Sequence, residues 1–549
     1  MPTVDAYRRS PLVAPAFVPL PDSSVQAGGL LADIIGKVLK LADVTAMSPL
    51  DAVLASKLGG YLSLPTIPDV GAAALQQNPV AFIQLARAAL MSATAAQNRQ
   101  AMLHLLDAMR TFEATLPSLP ENEVLLIGAD ALRLTDELYR RTGHSSLLTT
   151  IEHLRTQLPD VSGLMHSFPF AHAYSPEKSP PSELLDYHRR MNSLATGKLT
   201  ADALAMTALL ALFSGSTRDG TAARTGLASL LRYHGTPGGG FTADPYLAGR
   251  DPARAADLAA ICAQAEAYAD ILSATGDLAF AEQLELLLHN ALSDLVAAQG
   301  LRSMQPVNRL AQDESCLYAP AEPADVSALL RALYALRRSM WAVREADEIA
   351  LLLPQPGGCI TRFSGVPVRL TAQSMDSSSS LTISIEAKTP VSFTLLLRIP
   401  AYVSGAFVSV NGGAAQEAAA GTLFPLQREF CTGDTVSLQL ITAPRLVTGY
   451  RGSLSVLCGA TLMALPVPDA NASWQYALVD GAPLTASQQD DLLCVHATAT
   501  DASSWVSKKG FITPPPQGLL AGAEYELTLV PFAGTTGRIA QFPRAARRT

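Results

Sequence analysis

A chain of 549 residues is longer than one compact core accommodates, so about two or three domains are expected. With 48% apolar and 16% charged residues the chain is not intrinsically disordered. A formal net charge of −8 gives no electrostatic pull toward nucleic acid, and no apolar run reaches the ~18 residues that a membrane span needs.

The opening stretch, "MPTVDAYRRSPLVAPAFVPLPDSS", carries Arg8 and Arg9, but prolines interrupt it and it has no continuous apolar segment. That stretch therefore reads as an irregular leader packed on the surface rather than as a signal peptide, within an irregular N-terminal segment with short helices over residues 1–79. From residue 80 to residue 355 the period is helical. "PVAFIQLARAALMSATAAQNRQAMLHLLDAMRTFEATL", "EVLLIGADALRLTDELYRR", "ADALAMTALLALFSG" and "ADVSALLRALYALRRSMWAV" place apolar residues three and four apart. Pairs of these helices meet at turns containing Gly143, Gly215 and Gly276, about 60 to 70 residues apart. A glycine there lets a helix end in the left-handed conformation before the chain reverses. Helical hairpins repeated at that interval predict an array closing on itself, an α/α toroid, with an open solenoid as the structural alternative. Within this half, "GRDPARAADLAAICAQAEAYADILSATGD", from Gly249 to Asp277, reads as one helix.

After "LLLPQPGG" the period falls to two. "SSLTISIEA", "VSFTLLLRI", "AFVSVNGG", "DTVSLQLI" and "YELTLVPF" are short strands, and "VNGG" suits a hairpin turn. Residues 356–460 are expected to form a β-sandwich, with residues 461–549 as a second β module or the completion of the first. The six cysteines are scattered and read as free thiols in a reducing, cytoplasmic compartment.

Several of these segments resemble glycoside hydrolase family 127, the β-L-arabinofuranosidase-like proteins. In the β half the resemblance rests on "FTLLLRIPAYVSGAFVSVNGG", "GDTVSLQLITAPRLVTGYRGSLSVL", "ASWQYAL" and "YELTLVPFAGTTGRIAQFP". In the helical half it rests on "LLRYHGTPGGGFTADPYLAGRDPARAADLAAICAQAEAYADILSATGDLAFAEQLELLLHNAL". It implies an (α/α)6 barrel followed by β-sandwich modules, agreeing with the periods. It also implies a retaining furanosidase whose nucleophile is a cysteine thiolate beside zinc, with a glutamate and further cysteines as ligands and a separate carboxylic acid for the leaving oxygen. Zinc removes the thiol proton and places the sulfur, and the acid protonates the departing sugar.

Each of those parts is altered here. Where the resemblance implies the acid, in "GGFTADPYL", Asp244 remains but Pro245 stands in the glutamate's place. The two zinc ligands that should begin the next helix are Asp257 and Ala259, and no Cys-Cys pair exists anywhere in the chain. The scaffold phrases survive while each implied catalytic position is changed. The pattern favours a catalytically inactive homologue with no zinc, serving a carbohydrate-binding or structural role. The alternatives are a hydrolase using the carboxylates of Asp244 and Asp257, or a relocated metal site from Asp257, Cys262 and Cys316 with Asp313 or Glu314. Against catalysis by Asp257 stands its position at a helix start, where a carboxylate suits the dipole. His234, Tyr246 and Arg250 are expected to line the same mouth and to bind sugar hydroxyls and rings. Gly238 to Gly240 make no nucleotide-binding motif, because no strand precedes them. The low charge content allows a homodimer or a subunit of a larger assembly.

Overall fold

The computed structural model describes residues 7–42, 47–59, 68, 70–71, 75, 78–297, 300–310, 322–375, 380–469, 471–490, 492–508 and 511–547. Its helices are α1 (Gly29–Leu41), α2 (Pro49–Gly59), α3 (Pro79–Ala95), α4 (Arg99–Thr115), α5 (Glu121–Thr142), α6 (Ser146–Gln157), α7 (Val161–His166), α8 (Leu185–Leu194), α9 (Gly197–Ser214), α10 (Thr217–His234), α11 (Leu258–Thr275), α12 (Leu278–Leu287) and α13 (Pro323–Arg338). Helices α2, α3, α5, α9, α11 and α13 each pack on the next, and α13 packs back on α2. That closed ring is a toroid and not an open solenoid. Outside it, α4, α6, α10 and α12 each cover the ring helix that precedes them, and α1 covers α13 and α2.

Local chemistry sets where these helices start and stop. The Asn78 side chain accepts the Val80 and Ala81 N–H groups, and Pro79 and Pro323 occupy first turns where no N–H is needed. Gly143, Gly215 and Gly276 end α5, α9 and α11 with φ of 71°, 62° and 73°. Helices α9 and α11 are buried on nearly all sides, which explains their alanines: their neighbours leave little room. A Cβ at Gly197 would stand 2.5 Å from the Cβ atoms of Ala243 and Ala260. By length and composition α9 is apolar enough to cross a membrane, yet 72% of it is buried in the ring.

The ring helices point the same way where their ends are tied. Ser327 Oγ donates to Asp51 Oδ1 (2.7 Å) near the N-termini of α13 and α2, and Arg337 donates to the Lys57 carbonyl (2.6 Å) near their C-termini. The N-terminal ends therefore form one mouth, with Thr196, Asp257 and Glu322 as the residues preceding α9, α11 and α13.

The leader departs from expectation. Leu12, Phe17, Leu20 and Val25 are buried. Val18–Pro19 pairs with Trp341–Val343, and Val25–Ala27 pairs with Gly357–Cys359. Apolar residues between the prolines find unpaired strand edges, so this segment ties barrel to sandwich instead of lying on the surface.

Among the described residues, a five-stranded and a seven-stranded sheet form the sandwich. Phe363 of one sheet stacks on Phe393 of the other at 4.4 Å, and Phe393 stacks on Phe430 at 4.4 Å. Asn411 and Gly412 turn one strand back with φ of 52° and 70°, as the "VNGG" phrase requires. A ten-stranded sheet from Pro444–Thr448 to Arg544–Ala546 has its own core, which includes Trp505, Leu529 and Phe542.

Candidate functional site

The loop between α10 and α11 builds much of the mouth, and its backbone is held from below. Gln264 of α11 accepts the Phe241 N–H (2.8 Å) and donates to the Phe241 carbonyl (3.1 Å). A Cβ at Gly239 would stand 2.5 Å from Leu286 Cβ, so the glycine run serves close packing. The helix expected from Gly249 begins only at Leu258. Before it, Ala255–Asp257 runs as a short strand against Met304–Pro306.

Ala243 bridges Ala256 in parallel, so Asp244 and Asp257 leave adjacent strands side by side. Both carboxylates already have partners. Arg254 grips Asp244 with two nitrogens: Nε donates to Oδ2 at 2.8 Å and Nη2 donates to Oδ1. Asp257 caps α11 by accepting the Ala260 N–H at 2.6 Å. Burial pushes the Asp257 carboxyl up to about 6, and the negative charges of Asp244 and Asp325 add to that, outweighing the Ala260 bond.

The other expected residues divide. Tyr246 is half-buried at the mouth with its ring 5.8 Å from Tyr174, whose hydroxyl donates to Asn192 Oδ1 at 2.6 Å. His234 is fully buried. Its Nδ1 accepts the Gly249 N–H (2.9 Å), so the ring proton sits on Nε2 and is donated to the Phe170 carbonyl (2.6 Å). With both nitrogens committed to backbone, and with burial lowering its pKa, the ring braces the loop from inside and has none left for a sugar. Arg250 reaches toward the C-terminal sheet, where Nη2 donates to the Thr448 carbonyl at 3.3 Å and Nε is buried without an acceptor.

Below the mouth the barrel axis is filled by charge. Asp130 of α5 accepts from Arg87 (2.6 Å) and Arg133 (2.7 Å), Lys198 donates to Asp202 (2.6 Å), and Arg331 faces Glu266 at 3.6 Å. With Ala259 and Cys262 these groups leave a cavity of only about 30 Å³. Sequence reasoning found neither this cluster nor Arg254. An arginine ten positions from its partner across an irregular loop leaves no periodic signal.

The zinc that the resemblance implies does not fit the described donors. Ala259 offers no ligand atom, Asp257 spends an oxygen on its cap, and burial pushes the Cys262 thiol well up, keeping it protonated. Among the described residues no group of three or more His, Cys, Asp or Glu side chains is placed to hold a metal ion. Cys316, Asp313 and Glu314 lie outside the described residues.

Comparison with known proteins places this architecture. No curated protein matches the sequence. Residues 359–442 match the family model of the β-L-arabinofuranosidase, glycoside hydrolase family 127 middle domain. Among solved structures, one described as a glycoside hydrolase aligns at 14% identity with a TM-score of 0.73, covering 99% of each chain. A family 127 β-L-arabinofuranosidase from Geobacillus stearothermophilus T6 aligns at 13% identity and TM-score 0.63 over 94% of each chain. A family 127 β-arabinofuranosidase aligns at 14% identity and TM-score 0.64, over 97% of this chain and 99% of its own. At these identities the structural likenesses speak for the shared fold. The family 127 middle-domain match lies inside the sandwich, and the fold of the whole chain is that of these family 127 structures.

Proposed function

We propose that the protein is a sugar-binding member of its family that does not hydrolyse furanosides by the family's route. The observation that carries this reading is the grip of Arg254 on both oxygens of Asp244. A carboxylate held so is a fixed anion in an internal ion pair. Pro245 has no proton to give and Ala259 no ligand atom, so the remaining mouth is a recognition surface of Tyr174, Tyr246 and Arg254. Stacking on tyrosine rings and donation from a guanidinium are what sugar hydroxyls and ring faces require. An arabinofuranose unit is the ligand class that the family's name suggests. The five described cysteines are free thiols, which fits a reducing, cytoplasmic setting.

The test is an assay on an aryl β-L-arabinofuranoside together with the zinc content of purified protein. No turnover and no stoichiometric zinc are expected, while L-arabinose oligosaccharides raise the melting temperature of the parent chain and not of Tyr246→Ala. The absence of any sugar response would favour a purely structural role.

One observation favours a second reading. A carboxyl with a pKa of about 6 beside a fixed carboxylate is the pairing that glycoside hydrolysis uses. In that case Asp257 protonates the leaving oxygen and Asp244 remains anionic. Turnover abolished by both Asp244→Asn and Asp257→Asn, with a rate that falls as pH rises through about 6, would establish it over the binding reading.

A further inference from the structure

At the end of the barrel away from the mouth, the C-terminal ends of ring helices and the leader enclose a cavity of about 160 Å³. Asp257 and Ser273 mark the two ends of α11, about 24 Å apart at ~1.5 Å per residue, so this space is separate from the sugar site. Its wall is dense in charge, and its carboxylates are committed. Asp270 accepts from Arg133, Asp136 from Arg140 Nε (2.8 Å) and Glu137 from Arg141 (2.7 Å), while Glu266 stands 3.6 Å from Arg331.

Arg338 is the exception on that wall. Among the described residues it makes no hydrogen bond and no ion pair within 4 Å. Its guanidinium carbon lies 5.3 Å from the Tyr334 ring centre, and its Nε is buried without an acceptor. Arg133 Nη2 and Arg331 Nε also lack acceptors. Arginines near helix C-termini ordinarily serve the free carbonyls there. Here the leader has taken several of them: the Val13, Ala16 and Phe17 N–H groups donate to the carbonyls of Leu212 (2.7 Å), Ala274 (3.3 Å) and Ser273 (2.9 Å). Glu137 and Asp22 lend Arg338 negative charge, but neither accepts a hydrogen bond from its guanidinium. A buried N–H donor without an acceptor is costly, and a tetrahedral oxyanion supplies several acceptors at once. The cavity has room for such an ion and waters beside it.

We infer that this cavity binds a small inorganic oxyanion of the phosphate type, with Arg338 as its principal charge partner. Binding there would also fasten the leader to the barrel, since Tyr7 and Phe17 form part of the same wall.

The experiment uses the full chain and inorganic phosphate. Melting temperature is followed against phosphate and against chloride at matched ionic strength, and the phosphorus NMR line of phosphate is followed as protein is added. A saturable rise with phosphate alone is expected, since saturation separates binding from the unsaturable stabilisation that such salts give any protein. The phosphate line should broaden and sharpen again on addition of sulfate. Arg338→Met, which keeps an apolar stem on Tyr334, should weaken the response about tenfold, equivalent to ~1.4 kcal/mol. An equal response to chloride, or a response unchanged in the variant, would overturn the inference. If the variant does not fold, the phosphorus line of the parent chain decides alone, and an unbroadened line overturns the inference.

Discussion

The Asp257 carboxyl accepts the Ala260 N–H while burial, and then the charges of Asp244 and Asp325, raise its pKa to about 6. An unfolded aspartate titrates near ~3.9. Between those values the folded chain holds a proton that the unfolded chain releases. The contribution of this group to stability is therefore complete below about pH 4 and is lost as pH rises through about 6. Two pKa units correspond to at most ~3 kcal/mol. Asparagine caps a helix as well as aspartate does and does not titrate. Asp257→Asn should thus be more stable than the parent by ~1–3 kcal/mol above about pH 7, with the difference closing below about pH 4. Urea midpoints of both chains across this range measure it, and a gap that stays constant with pH would show that Asp257 titrates normally.

Helices α9 and α11 meet through residues with almost no side chain, and Gly197 is the closest point. Gly197→Ala would press a methyl group against Ala243 and Ala260, costing ~1–3 kcal/mol as an overpacked core does. Because Ala243 immediately precedes Asp244, the sugar binding proposed for the mouth should weaken along with stability. Thermal unfolding and a ligand titration on one preparation read both effects. The sequence shows such packing only indirectly, through alanine-rich segments. The helix ends at Gly143, Gly215 and Gly276 were legible because the need for a left-handed residue is local. The strand at Ala255–Asp257 was not, since "ARAAD" has helical composition and its pairing with Met304–Pro306 depends on residues far along the chain. The same holds for the leader, whose two- and three-residue strands are too short to show a period. Nor does a charged residue on a helix announce itself as interior. Asp130, Lys198, Glu266 and Arg331 face a barrel axis, and only closure of the ring turns those faces inward. Of the expected mouth residues, the family resemblance brought out Asp244 and Asp257, whereas the inward turn of His234 rests on the carbonyl of Phe170, 64 positions away.

Across the whole molecule, barrel and C-terminal sheet are joined by buried polar groups. Asn290 donates to the carbonyls of Gly238 (3.2 Å) and Ala460 (2.8 Å) and accepts the Leu462 N–H (2.8 Å). Asp294 is fully buried and accepts from Arg302, from Arg538 Nη1 (2.9 Å) and from the Gly534 N–H (3.0 Å). Burial alone would raise its pKa, but the charges of Arg538, Arg309 and Arg302 outweigh burial and hold it below the ordinary carboxylate range. Removing that charge leaves buried guanidinium groups facing one another, and the loss of one member of a buried ion pair costs ~3–5 kcal/mol. Asp294→Asn should cost that much and should uncouple the modules, giving two calorimetric transitions where one is expected of the parent chain. Arg538→Met should cost less, because Asp294 keeps Arg302 and the Gly534 N–H while the methionine fills space beside Phe532. Calorimetry combined with limited proteolysis near the Thr442–Arg445 connection would separate these outcomes. A single transition in Asp294→Asn at the parent temperature would mean that the Asn290 hydrogen bonds and the apolar contacts hold the sheet to the barrel without Asp294.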